Sequence, residues 1–168
     1  MHHHGYLWVG DKAVFDNDGL RRMPVAPWAA DDPEETVQRQ AAYRAWTETF
    51  TGSEVPPLVT AHWLLKSPSL VRGTWDDPAE AAAWLDGVLR EHRPRFATAH
   101  DRDPRRLARQ VARAAETLAH GGDVSLGYYL TRPMFLSVAV VSCSPNRADP
   151  GLACPIPHPP RSDRTPPP

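Results

Sequence analysis

The sequence predicts an α+β fold, a mainly antiparallel sheet with three helices packed on one face and a disordered proline-rich tail at its C-terminus. Three observations lead there. Asp32-Pro33, Asp77-Pro78 and Asp103-Pro104 each precede a stretch with helical periodicity. An Asp side chain accepts from the free amides of a first helical turn, and Pro at the first helical position gives up an N–H that has no intrahelical partner. Short runs rich in β-branched and aromatic residues stand between and after these helices, the composition expected of strands. From Ser144 onward nine of the last 25 residues are proline, and only Leu152 and Ile156 are large and apolar, so that backbone leans to extended polyproline conformations. The 168 residues therefore divide into one compact α+β domain over 1–143, large enough to bury a core without a staple, and a flexible tail over 144–168.

Each element has its own signal. Residues 6–9 and 12–15 flank Gly10-Asp11 as two short strands of a tight hairpin, closed by the loop Asp16-Asn17-Asp18-Gly19. Residues 23–30, with Pro24 and Pro27, form an irregular connector in which Trp28 has no element to bury it. The first helix runs over 33–50, with Asp32 as its cap and Glu35 placed for a capping box. Its apolar stripe is Val37, Ala41, Ala45 and Trp46, and Gly52 with Pro56-Pro57 ends it.

Residues 58–65 read as a buried strand pairing with 69–75, although periodicity does not separate strand from helix in so short a run. If both are helical, the alternative is a mostly helical fold with an N-terminal hairpin. The second helix, 78–91, carries Ala81, Trp84, Leu85, Val88 and Leu89 at core-facing spacing. The third, 104–119, aligns Leu107, Val111, Ala114 and Leu118 and stops at His120-Gly121-Gly122, a left-handed cap signal. Residues 128–131 and 134–142 read as strands separated by Pro133.

A net charge of -1 excludes a generally basic nucleic-acid coat protein. The N-terminus has no apolar run of signal-peptide length, and the longest apolar run, 134–141, falls far short of the roughly 20 residues that span a bilayer. The expectation is a cytoplasmic protein without a membrane segment, with Cys143 and Cys154 as reduced thiols. Of 19 basic residues only Lys12 and Lys66 are lysines, an arginine excess of the kind a GC-rich bacterial genome gives.

Arg102, Arg105, Arg106, Arg109 and Arg113 share the solvent side of the third helix. Guanidinium forks suit carboxylate and phosphate, so this face is the candidate binding site for a protein or other anionic partner. Nucleic acid ranks below protein, because no helix-turn-helix, zinc-finger spacing or aromatic-and-basic strand accompanies the face. An ordinary solvated helix face accounts for the same pattern.

Cys143 sits at a predicted strand end with Ser142 and Ser144 beside it. This supplies the alternative, a small cysteine-dependent enzyme with Cys143 as nucleophile and His62 as base. A buried cysteine without chemistry competes with it. His2, His3, His4, Cys143, Cys154 and His158 can be drawn as metal ligands, but structural zinc sites bring cysteines two to four residues apart and these stand eleven positions apart. No metal and no cofactor is assigned. Asp16-Asn17-Asp18-Gly19 lacks the later glutamate of a calcium loop, and no Gly-rich phosphate loop, nucleophile elbow or His-Glu-x-x-His motif occurs. The functional expectation is a small cytoplasmic regulatory or accessory protein acting by binding through the arginine face, with its oligomeric state unspecified.

Overall fold

A computed structural model describes residues 1–156. It has the predicted α+β class: a four-stranded antiparallel sheet in the order β2-β1-β4-β3, with β1 at His2–Asp11, β2 at Val71–Trp75, β3 at Val124–Tyr129 and β4 at Met134–Cys143. In β4 every residue after Met134 is buried, because both faces of this central strand are covered. That is why it reads as a mainly apolar run, interrupted by Ser137 and Ser142, and not as an alternation.

β1 pairs with β4 from His2 opposite Cys143 to Asp11 opposite Met134, and with β2 on its other side. Side chains alternate across a strand, so the sheet carries two separate cores. Leu7, Val9, Leu136, Val138 and Val140 face α4 (Pro78–His92) and α5 (Pro104–Ala119), where they meet Leu85, Leu89, Leu107 and Leu118. Tyr6, Ala139, Val141 and Cys143 face the opposite way, against Trp63 and Leu64.

The helix signals act as predicted. Asp32, Asp77 and Asp103 accept from the backbone N–H of Glu34, Ala79 and Arg105. At the end of α5, Gly121 takes φ 71°. Its N–H reaches the Leu118 carbonyl while that of Gly122 reaches Thr117, the paired bonds of a Schellman cap.

Several expectations need correction. The N-terminal hairpin is absent: β1 continues through Asp11, whose carboxylate accepts from the Ala13 N–H at 2.7 Å and opens the short helix α1 (Lys12–Phe15), followed by α2 (Asp18–Arg21). Gly10-Asp11 is a strand-to-helix junction. Residues 58–65 are not a strand; Thr60–Leu65 form a 3-10 segment that lays Trp63 and Leu64 over the second core. β2, expected to pair with them, pairs with β1.

Within 144–156, expected to belong to the tail, Asn146 is fully buried and Leu152 and Cys154 pack on the Tyr6 side of the sheet. Residues 157–168, with His158, lie outside the described residues.

α3 (Pro33–Gly52) buries only Phe50, leaving Val37 66% and Trp46 47% exposed. Two of its four stripe residues are alanine and the other two stay largely exposed, so α4 and α5 supply the helical cover of the sheet. Glu35 pairs with Arg39 and makes no capping box. Lys66 anchors the far end of α3: its buried ammonium donates to the Phe50 carbonyl at 2.5 Å and lies 3.9 Å over the Phe50 ring, a cation at the negative end of a helix. No helix among the described residues is long and apolar enough to cross a membrane.

Candidate metal centre

The alternation of β1 sends His2, His4 and Tyr6 to one side of the sheet, and the antiparallel register sets His2 opposite Cys143 at the end of β4. Cys154 reaches the same spot from the segment that follows β4. His2 Nε2 lies 2.9 Å from Cys143 Sγ and 3.0 Å from Cys154 Sγ. His4 Nε2 lies 3.3 and 3.4 Å from the same two sulfurs. All four donor atoms fall within 4.8 Å of one another. A tetrahedral zinc ion with bonds of about 2.3 Å to sulfur and about 2.05 Å to nitrogen sets each S···N pair about 3.6 Å apart. The four S···N separations of 2.9 to 3.4 Å are shorter than that, whereas the donor set as a whole spans up to 4.8 Å, so the four side chains must shift from a distorted to a regular tetrahedron to admit the ion.

Other residues aim these donors. His4 Nδ1 is 2.9 Å from Thr74 Oγ1 on β2. With that ring N–H donated to the threonine, Nε2 keeps its lone pair for the centre, an orienting contact of the kind metal-binding histidines use. His3 points to the opposite face, where its Nδ1 lies 2.9 Å from Ser142 Oγ, which in turn donates to the Gly122 carbonyl. Burial holds the His3 imidazole below its usual pKa range, and it takes no part in the cluster.

Cys154 is delivered by a tethered turn. Buried Asn146 donates to both Asp123 carboxylate oxygens at 3.0 and 3.1 Å and to the Ser142 carbonyl at 2.7 Å. Its own oxygen accepts from the Ala148 and Asp149 amides at 2.9 and 3.0 Å. Asp123 also takes the Ser142 N–H, so this network pins the exit of β4 to the start of β3. Within it Ser144 adopts φ 65°, a left-handed conformation that costs a non-glycine residue about 1 to 2 kcal/mol and persists where its surroundings impose it.

Charge balance limits what this site can hold. Burial pushes the Cys143 thiol up to about 12, so this sulfur becomes a thiolate only where positive charge is brought to it. One dipositive ion with two thiolates and two neutral imidazoles sums to zero, which a buried site tolerates. Tyr6 lies in the same core. Its hydroxyl is buried with no hydrogen-bond partner among the described residues, while its ring stacks on Trp63 at 4.7 Å beside Cys143 and Cys154. An orphaned buried hydroxyl costs about 1 to 3 kcal/mol, and neither Cys143 nor Cys154 accepts from it. Tyr6→Phe removes the orphaned hydroxyl and keeps the ring, so it should raise the stability of the metal-free protein by up to about 1 to 3 kcal/mol and leave zinc affinity unchanged. Competition against a chelating dye, beside a metal-free melt, checks both halves.

The sequence-derived candidates are placed differently. Arg102 donates to the Phe96 carbonyl at 3.1 Å, and half-buried Arg106 pairs with Asp101 at 3.1 Å. Arg105, Arg109 and Arg113, like Arg102, are exposed, and these three take part in none of the ion pairs among the described residues. Cys143 is fully buried, without the access a nucleophile needs, and its imidazole neighbours are His2 and His4. His62 stands edge-on to Phe50, with ring centres 6.3 Å apart. The spacing that counts against a metal in the sequence does not keep the ligands apart in space, because they come from three segments. The usable signal is the two-residue spacing of His2 and His4, which becomes informative once 2–11 is taken as one strand.

No family model matches this chain, and no curated protein or solved structure is detectably similar to it.

Proposed function

We propose that this is a zinc-organised binding protein that holds one Zn2+ with His2, His4, Cys143 and Cys154. The observation that carries the reading is the convergence of two sulfurs and two imidazole nitrogens, from the start of β1, the end of β4 and the following segment, within 4.8 Å. A tetrahedral S2N2 set suits zinc. With all four positions filled by protein it is a structural centre, since catalytic zinc keeps one position open. The ion ties the first residues of the chain to the 144–156 segment, and a reducing cytoplasm, which belongs to the proposal, keeps both thiols available. Protein produced without an affinity tag should carry one zinc per chain through gel filtration, measured by inductively coupled plasma mass spectrometry. Substoichiometric zinc after incubation with excess metal would remove the reading.

The binding role rests on Arg105, Arg109 and Arg113, which are exposed and take part in none of the ion pairs among the described residues. Exposed guanidinium groups one helical turn apart suit an acidic protein surface, which fits a small regulatory or accessory protein. Changing all three to Gln should abolish capture of an acidic partner from native extract while leaving the melting temperature within about 1 °C, because solvated positions of this kind contribute little to stability. Undiminished capture by the triple variant would dismiss this face.

A further inference from the structure

The two sulfurs of the centre are unequal. Cys143 is fully buried on β4, the most enclosed strand of the sheet, whereas Cys154 is partly exposed and lies on irregular chain between Leu152 and Ile156. Its thiol donates to the Ile156 carbonyl at 2.7 Å. Both sulfurs belong to a donor set spanning no more than 4.8 Å, and a disulfide needs about 2.05 Å. The difference can be closed by the segment carrying Cys154, which has no ladder hydrogen bonds to break. The two histidines remain fixed in β1 throughout.

We propose that the centre is a redox switch, in which a hydroperoxide oxidises the cysteine pair to a Cys143–Cys154 disulfide and expels the metal. This rests on the zinc reading above. The Cys154 thiolate attacks one oxygen of hydrogen peroxide: an S–O bond forms, the O–O bond breaks, and hydroxide leaves. Cys154 is now a sulfenic acid, its sulfur oxidised by two electrons and the peroxide reduced by two. The Cys143 thiolate then attacks that sulfur: the S–S bond forms, the S–O bond breaks, and a second hydroxide leaves. Both hydroxides take protons from solvent to give two waters. Exposure selects Cys154 as the sulfur that meets peroxide, and burial reserves Cys143 as the resolving thiolate. Once both thiolates are consumed, two neutral imidazoles remain, a set that neither balances nor completes the coordination of a dipositive ion.

The test uses the zinc-loaded full chain with hydrogen peroxide, a colorimetric zinc indicator and mass spectrometry of unreduced peptides. The expected result is loss of one equivalent of zinc together with a peptide linking Cys143 to Cys154 that is lighter by two hydrogens, and recovery of zinc binding after dithiothreitol. The variant Cys154→His keeps a fourth ligand but cannot form the disulfide, and should hold its zinc under the same peroxide. Zinc retained by the wild type with both thiols intact overturns the switch. So does metal loss accompanied only by a Cys154 sulfinic acid, while both of these outcomes leave the zinc site itself standing. A reduced chain that takes up no zinc at the outset removes the site and the switch together.

Discussion

Cys143→Ser should abolish stoichiometric zinc binding and erase the stabilisation that zinc gives the wild-type protein. A serine hydroxyl does not ionise to replace a thiolate, so the set loses one of its two compensating charges along with its most enclosed ligand. Ligand binding to the native state adds about 4 kcal/mol when free metal stands a thousandfold above Kd, which for a domain of this size corresponds to roughly 8 to 16 °C in Tm. The informative quantity is the difference between melts with zinc and with chelator, because the substitution also buries a hydroxyl, which shifts the metal-free and metal-loaded melts alike. Scanning calorimetry should show the full difference in wild type and none in Cys143→Ser. Equal differences in both proteins would place the stabilising metal elsewhere.

Asn146→Ala should uncouple the Cys154 segment from the sheet and weaken zinc binding at least about 10-fold, the scale at which supporting residues act in metal sites. The side chain is fully buried and satisfies Asp123, the Ser142 carbonyl and the amides of Ala148 and Asp149. Its removal leaves several of these groups without their partner, at about 1 to 3 kcal/mol for each that water does not reach. The rest of the fold does not depend on it, since β1 and β4 keep their ladder. Hydrogen exchange should rise in 144–156 while the amides of β4 stay protected, and dye competition should report the loss of affinity. A loosened segment with unchanged affinity would show that Cys154 is not a ligand.

What the sequence disclosed and what it withheld divide along the range of the interactions. The helix at 104–119 is legible because everything that defines it is local: Asp103 caps it, Leu107, Ala114 and Leu118 turn inward, and Gly121 stops it. The apolar run 134–142 names β4 for the same reason. β1 escaped because its length is set by a ladder with β4 at the other end of the chain, while Gly10-Asp11 looks locally like a hairpin turn. Thr60–Leu65 escaped because a lid over a sheet and a strand within one bury the same short apolar run. The metal centre is the extreme case. His2 and Cys154 are separated by 152 positions, and no spacing rule written for paired cysteines reaches that far. The arginine face was legible as a charge pattern, but not the pairing of Arg106 with Asp101 or the turn of Arg102 towards Phe96, which are set by how the 93–103 segment folds back.

The most direct test is X-ray absorption at the zinc edge on the reduced, metal-loaded protein. The predicted first shell is two sulfurs at about 2.3 Å and two imidazole nitrogens at about 2.0 to 2.1 Å, with one sulfur lost in Cys143→Ser. A shell of nitrogen and oxygen alone, or one indifferent to that substitution, would contradict a centre built from His2, His4, Cys143 and Cys154.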